Sequence, residues 1–284
     1  MKKGNLWTLL KSTRVERAFY IVSVILIPAA FANTVNFDLL VLSICCILLY
    51  SVSGIHNSKR DGDHLLPGYY KKFIVFLVLT ALLLSMYNLV IFVTVIVSIF
   101  LGVVYNTFSR KILFGDATVL GFTHAAIPII ASSLIVKLDL MVGAKIAAVF
   151  YVFIWVLGNA RNQKDSKGDK RRKYRTYVTV TKNPRVLTRL FFSLSFLIMI
   201  LSSLIFKVST NYLFVLSFAF VVEIIILYLT DLKKDVLAMQ LARFTIILFS
   251  FALVLDKTTN IKLVLSQIIL GILFLIIALS SVKE

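Results

Sequence analysis

Apolar segments about as long as a lipid bilayer is thick follow one another along almost the whole chain. A helix needs about 20 apolar residues to cross roughly 30 Å of hydrocarbon, so each of these segments predicts a membrane-spanning helix. The third and fourth segments are separated only by Tyr87 and Asn88, which predicts a tight helical hairpin. The ten candidate segments cover residues 18–36, 38–56, 70–86, 88–105, 117–136, 141–159, 187–206, 211–230, 236–255 and 261–281.

The overall composition supports the same interpretation. Of the 284 residues, 60% are hydrophobic and only 15% are charged, which is too apolar for a soluble domain of this length. We therefore predict an all-α, polytopic transmembrane bundle of nine to ten helices. No linker rich in Pro, Gly or Ser divides it, so residues 1–284 are predicted to form a single integral membrane domain.

The positive charges are concentrated in alternate loops. The formal net charge of +18 argues for membrane topology and anionic lipid rather than nucleic acid, because the charges lie between apolar segments. With a cytoplasmic N-terminus, all but five of the 31 Lys and Arg residues fall on the cytoplasmic side. This asymmetry predicts a multi-pass protein of the cell membrane with its N-terminus in the cytoplasm. The five exceptions are Lys137, Lys145, Lys207, Lys257 and Lys262.

Two clusters of Asn and Asp residues end apolar segments on the predicted cytoplasmic side. In the second cluster, Asn162, Asp165 and Asp169 are spaced by three and four residues and therefore share one face of a helix. Two such clusters facing each other would form a divalent-metal site for a diphosphate, and Mg²⁺ suits carboxylates, waters and phosphate oxygens. The alternative is that these are solvated loop charges paired with neighbouring Lys and Arg residues. The first cluster contains Asn57, Asp61 and Asp63.

Other polar residues are less specific. Arg110 and Lys111 follow Tyr105 at the end of the fourth segment, where cations can either bind diphosphate or anchor the protein at the membrane surface. His124 and Glu223 lie within apolar segments and are candidates for function, although packing explains them as well. The sequence contains no zinc pattern, P-loop or nucleophile elbow.

Taken together, these motifs resemble those of the UbiA-type intramembrane prenyltransferases. That family carries Asn/Asp-rich motifs of the form NDxxDxxxD and DxxDxxxD after its second and sixth helices. The corresponding stretches here are NSKRDGD at 57–63 and NQKDSKGD at 162–169. The stretch YNTFSRK at 105–111 resembles the family's Tyr and Lys/Arg element after its fourth helix.

This resemblance implies Mg²⁺-dependent transfer of a prenyl group from a polyprenyl diphosphate to a small-molecule acceptor, within membrane lipid. It assigns catalytic roles to Asp61, Asp165, Asp169 and Tyr105. It implies that diphosphate is bound by Asn57, Arg110, Lys111, Asn162 and Lys164. It implies that the metal is held by Asn57, Asp61, Asp63, Asp165 and Asp169.

The sequence also departs from the family pattern. Leu65 stands where the last Asp of the first motif is expected, and Asn162 replaces the first Asp of the second. Both changes remove negative charge from the expected metal site. Two alternatives therefore stay open: an enzyme that cyclises or hydrolyses the same diphosphate, and a non-catalytic protein that binds isoprenoid lipid. A transporter is disfavoured because the polar residues lie at helix ends rather than near mid-membrane. The acceptor and the prenyl chain length are not determined by the sequence.

Overall fold

The computed structural model describes residues 5–62 and 65–280. All regular structure in these two ranges is helical, which confirms the predicted all-α bundle. The α-helices are α1 (Leu6–Thr13), α2 (Phe19–Phe31), α3 (Phe37–Asp61), α4 (Tyr70–Ser85), α5 (Leu89–Thr107), α6 (Gly115–Gly121), α7 (Ile127–Ile135), α8 (Leu140–Ala160), α9 (Asn162–Arg171), α10 (Tyr177–Val180), α11 (Pro184–Phe206), α12 (Thr210–Asp231), α13 (Asp235–Lys257) and α14 (Ile261–Ser280).

Each of the ten predicted segments corresponds to helical structure, but not all are full-length spans. Within the described residues, 8 helical stretches are long and apolar enough to cross a membrane. The other two segments are α2, with 13 residues, and α4, with 16. The predicted count is therefore approximate. The predicted fifth segment is α6 and α7, joined by a π-helical turn at Phe122–Ala126.

Polar side chains fix where the long helices begin. The amide oxygen of Asn36 accepts from Leu39 N at the start of α3, and that of Asn88 accepts from Val90 N at the start of α5. The Asp139 carboxylate accepts from Val142 N at the start of α8. Such caps satisfy backbone N–H groups that have no partner within the helix.

The centre of the bundle is formed by α13, the most buried of the eight long stretches, which packs against α2, α12 and α14. Phe150 and Phe249 stack with ring centroids 4.3 Å apart in the core. On the outside, Leu89, Leu204 and Phe214 are each at least 75% exposed. Such an apolar exterior around a packed centre is expected of a helical bundle immersed in lipid.

Side-chain hydrogen bonds hold α2 in place within this core. Ser23 donates to Gln267 Oε1 at 2.5 Å, and Gln267 Nε2 returns a bond to Ser23 O at 2.8 Å. Ser132 of α7 donates to Ile25 O at 2.6 Å. The fixed position of α2 matters because the turn before it carries Arg17, which lines the cavity described below.

Helix α1 packs closely against α3 at a glycine. A Cβ atom added at Gly54 would lie 2.3 Å from the backbone oxygen of Thr13, so only glycine permits this approach. The chain then turns at Arg14, whose φ is 52°, in the left-handed region. The contact between α1 and α3 therefore places Arg14 beside the motif carried by α3.

Candidate functional site

A cavity of about 670 Å³ opens where α3, α5 and α8 end. Its walls include polar residues from α3, α5 and α9 and apolar residues from α3, α5 and α6. Five of the predicted site residues line it: Asn57, Tyr105, Lys164, Asp165 and Asp169. The structure thus brings residues of the first motif, residues of the second motif and the tyrosine of the 105–111 stretch to one cavity.

The carboxylates of the second motif project from α9. Asp165 Oδ1 lies 3.2 Å from Lys164 Nζ, and Asp169 Oδ2 accepts from Thr176 Oγ1 at 3.3 Å. Asp169 is buried and Asp165 is partly exposed. Because α9 is one helix, the predicted spacing does place both carboxylates at the same cavity.

Lys164 carries a perturbed ammonium group beside these carboxylates. Burial lowers the pKa of Lys164 to about 7, and the Asp165 carboxylate opposes that shift. The guanidinium groups of Arg243, Arg17 and Arg161 lower this pKa further. The guanidinium groups near Lys164 therefore disfavour a further positive charge, and an anionic ligand bound in the cavity would offset that repulsion.

Asn57, which α3 contributes to the cavity lining, is already hydrogen-bonded. Its Oδ1 accepts from Arg60 Nη2 at 2.7 Å, and Arg60 Nη1 also donates to Asn106 Oδ1 at 3.2 Å. An amide oxygen has two lone pairs, so one remains for a ligand. Any metal contact by Asn57 would share this oxygen with Arg60.

Other predicted residues are placed differently. Asn162 is 3% exposed and does not line the cavity, and its Nδ2 has no hydrogen-bond partner within the described part of the chain. Lys111 is exposed in a 3₁₀ turn, Ser109–Lys111, outside the cavity lining. Leu65 is exposed on the surface. The side chains of Asp61 and Arg110, and Asp63 as a whole, lie outside what the structure describes.

Arginines to which the sequence motifs give no role contribute much of the cavity's charge. Arg161, between the two asparagines at the α8–α9 junction, donates from Nη2 to Asp116 Oδ2 and to Tyr105 Oη, each at 3.2 Å. The sequence signal for Arg161 is its position immediately before the second motif. The other arginines come from the basic stretch near the N-terminus and from the one that follows the second motif. Membrane topology is sufficient to explain the positive charge of both stretches. The arginines lining the cavity are Arg14, Arg17, Arg161, Arg171 and Arg172.

The donor set can be tested against the magnesium that the motifs imply. No group of three or more His, Cys, Asp or Glu side chains is arranged to hold a metal among the residues described, which do not include the side chains of Asp61 and Asp63. Mg²⁺ commonly takes only one or two carboxylates and completes its shell with water and phosphate oxygens. Asp165 and Asp169, both facing one cavity, fit that requirement.

Aromatic residues form the inner wall of the cavity. His124, in the π-helical turn, lies between Tyr20 and Tyr50, with ring centroids 5.7 and 5.4 Å away. Its Nδ1 is 2.7 Å from Thr123 Oγ1. These contacts hold the His124 ring in place at the boundary of the cavity. Glu223, on α12, is buried away from this cavity, and its Oε1 has no hydrogen-bond partner in the described ranges.

Comparison with known proteins identifies the family. The model of the UbiA prenyltransferase family matches residues 70–253, more than half of the chain. The chain belongs to the UbiA prenyltransferase family. The match contains the second motif and the Tyr105 element, while the first motif lies before its first residue. No curated protein gave a significant sequence match.

A solved structure has the same fold. It is described as digeranylgeranylglyceryl phosphate synthase in membranes, and it is 13% identical to this chain with a TM-score of 0.60. The superposition covers 89% of this chain and 98% of that one. Family membership and the eight long apolar helical stretches within residues 5–62 and 65–280 make this an integral, multi-pass membrane protein of the prenyltransferase type.

Proposed function

We propose that this protein transfers a prenyl group from a polyprenyl diphosphate to an acceptor small molecule, with Mg²⁺ bound to the diphosphate. The observation that supports this most strongly is the convergence of Asp165, Asp169 and Lys164 with several arginines on one cavity of a UbiA-family bundle. The acceptor would be an aromatic compound or a lipid precursor. The cavity volume, about 670 Å³, is that of a small-molecule site.

In this proposal the reaction breaks the bond between the allylic carbon and the diphosphate oxygen. The acceptor forms a new bond to that carbon and loses a proton, and diphosphate leaves. Lys164 and the arginines hold the diphosphate oxygens and stabilise the negative charge that develops on them. Asp165 and Asp169 would hold Mg²⁺, which makes diphosphate a better leaving group.

Tyr105 would act beside the allylic carbon. It is 6% exposed, and its hydroxyl accepts from Arg161, which fixes the ring at the cavity wall. An aromatic face stabilises positive charge that develops on carbon. The apolar walls contributed by α3 and α5 would hold the prenyl chain and exclude water from the cation.

Substitution of Asp165 tests this proposal. Asp165→Asn removes one carboxylate with little change in volume, and we expect Mg²⁺-dependent diphosphate release to fall by about a hundredfold or more. The matched control is Asp231→Asn, whose side chain is exposed and pairs with Arg189 away from the cavity. Release should be measured from labelled geranylgeranyl diphosphate with purified protein in detergent.

Other results would favour the alternatives. One such result is that both variants bind the diphosphate as the original protein does, while neither the variants nor the original protein release diphosphate with any acceptor. The protein would then be a non-catalytic isoprenoid binder. Diphosphate release without any acceptor would indicate a hydrolase if the prenyl alcohol is formed, or a cyclase if the prenyl chain is cyclised. Equal release by Asp165→Asn and the original protein would contradict the assigned metal site.

A further inference from the structure

Helix α1 is apolar toward the protein and also away from it. On its inner side, Leu9 is fully buried in a small cluster with Ile55 of α3 and Leu77 of α4. On its outer side, large apolar side chains that share one helix face are left uncovered by the described chain. They are Leu6, 56% exposed, Trp7, 64% exposed, and Leu10, 44% exposed, and we call them the outer face of α1.

The contacts of α1 place this face at the edge of the bilayer. Ile55 is the last residue of the apolar run on α3, and the polar stretch that starts at His56 follows it directly. The close approach of Thr13 to Gly54 holds the end of α1 at the same level. An apolar run gives way to polar residues where the hydrocarbon of the bilayer meets the lipid headgroups. With only 8 residues, α1 cannot cross the membrane, so it lies at this boundary.

Exposed lysines accompany the outer face at this end of the bundle. Lys11 follows Trp7 by one helical turn, with its Nζ 6.0 Å from the centre of the indole ring. Lys71 and Lys72 are exposed at the start of α4, the helix whose Leu77 packs with α1. Helix α1 itself contains no Asp or Glu. A tryptophan beside a lysine on an apolar face is typical of a segment in the headgroup region of anionic lipid.

The same helix leads into the large cavity. Arg14 follows α1 directly, with a φ of 52°, and Arg17 lies in the next turn. Both arginines line the cavity that Asp165 and Asp169 also line. Eight residues are too few for a helix to persist without contacts. Contacts on the outer side of α1 therefore help to hold two cations of the cavity in place.

We propose that the outer face of α1 and Lys11 bind anionic phospholipids at the bilayer surface, and that this contact keeps Arg14 and Arg17 in the cavity. The lipid is a binding partner of the folded protein and not its substrate. A second copy of the chain is less favourable, because two outer faces packed on a twofold axis would bring Lys11 of one copy close to Lys11 of the other. Anionic headgroups instead neutralise these lysines.

Fluorescence of Trp7 tests the lipid contact. The chain has two tryptophans, so Trp155→Phe leaves Trp7 as the only one. This variant is placed one copy per nanodisc, in phosphatidylcholine brominated either close to the headgroup or near the chain ends, with and without phosphatidylglycerol. We expect bromine close to the headgroup to quench Trp7 at least about threefold more than bromine near the chain ends. Phosphatidylglycerol should strengthen this quenching.

Tryptic cleavage after Arg14 tests whether the lipid holds the cavity arginines. In nanodiscs, cleavage of the original protein should be about fivefold slower with phosphatidylglycerol than without it, which is the effect of about one contact between a lysine and anionic lipid. Trp7→Ser combined with Lys11→Gln should abolish this difference. The control is Ile261→Ser combined with Lys262→Gln, which changes an exposed apolar residue and an exposed lysine at the start of α14. It should keep the full difference.

Diphosphate binding measures the consequence for the cavity, and this measurement rests on the proposed function. In anionic nanodiscs, the original protein should bind geranylgeranyl thiolodiphosphate, an analogue that ionises slowly, about fivefold more tightly than the variant with Trp7→Ser and Lys11→Gln. The two affinities should differ less in phosphatidylcholine alone. Because both proteins are compared in the same bilayer, the repulsion between the analogue and the anionic lipid cancels.

Quenching, cleavage and binding can each overturn the proposal. Quenching would do so if it is absent, equal at the two depths or unaffected by phosphatidylglycerol. Cleavage would do so if its rate is the same in both bilayers, or if Arg14 is protected only in nanodiscs that hold two copies. Equal affinity of the original protein and the double variant for the analogue would overturn the connection to the cavity. An analogue that binds neither protein would instead contradict the proposed function, while quenching and cleavage still decide the lipid contact.

Discussion

At the residue scale, Arg161 connects the charged wall of the cavity to its aromatic wall. The guanidinium bonds both Asp116, which is 3% exposed, and the hydroxyl of Tyr105. It is therefore a positioning residue as well as one of the cations that line the cavity. This double role explains why an arginine, with several fixed donors, is present rather than a lysine.

We predict that Arg161→Gln lowers both stability and activity. The substitution leaves Asp116 buried without its cation, which costs about 3 kcal/mol or more. Arg161→Gln combined with Asp116→Asn removes both charges and should recover most of the thermal stability, measured by unfolding in detergent. Diphosphate release should stay low in both proteins because Tyr105 has lost its donor. A double variant no more stable than Arg161→Gln would contradict this account of the pair.

Single residues also show what the sequence could and could not predict. The spacing of Asp165 and Asp169 predicted a shared helix face, and α9 places both at the cavity because local periodicity determines that geometry. Asn162 belongs to the same pattern, but it is the first residue of α9, where that helix contacts α8, and it is buried. Arg14 and Arg17 are brought to the cavity by tertiary packing, which a local sequence pattern does not show.

At the element scale, the contact between α1 and α3 determines where the N-terminal arginines lie. Gly54 allows the backbone of Thr13 to approach α3, and Arg14 and Arg17 follow directly in the chain. Helix α1 has only eight residues, which is too short to be stable by itself. Its position therefore depends on this packing.

We predict that Gly54→Ala displaces α1 and weakens diphosphate binding. The new Cβ would clash with backbone rather than with a movable side chain, so the helices must separate. We expect a lower melting temperature in detergent and faster tryptic cleavage after Arg14.

Gly102→Ala is the control for stability, because a Cβ at this helical glycine meets no atom within 4 Å. It should be as stable as the original protein or slightly more stable, since alanine favours helix by about 1 kcal/mol. Equal melting temperatures for the two variants would contradict the argument.

At the scale of the whole molecule, the bundle has polar residues concentrated at one end and an apolar exterior around its length. The distribution of Lys and Arg predicts that this end faces the cytoplasm. Composition and periodicity were sufficient to predict the all-α bundle, because lipid imposes one helix length and one polarity pattern. Composition and periodicity did not predict that α2 and α4 are short. The turns and loops next to these two helices are apolar too, so the sequence does not mark where the helices end.

We predict that the loop carrying Lys182 is cytoplasmic and that the start of α14, which carries Lys262, is external. Both side chains are exposed, so Lys182→Cys and Lys262→Cys can report their own location. In intact cells, a membrane-impermeant maleimide should label the cysteine at 262 and not the one at 182. Inverted membrane vesicles should give the opposite pattern. Labelling at 182 in intact cells would reverse the predicted orientation.

The most direct test of the central claim is diphosphate release by the original protein. Labelled geranylgeranyl diphosphate is mixed with purified protein in detergent, with Mg²⁺ in one sample and EDTA in the other, and with a panel of charged and neutral acceptors. The account predicts binding and diphosphate release that require Mg²⁺ and increase with one class of acceptor. If geranylgeranyl diphosphate and prenyl diphosphates of other lengths neither bind nor react, the cavity does not perform this chemistry, and the chain shares only the fold of its family.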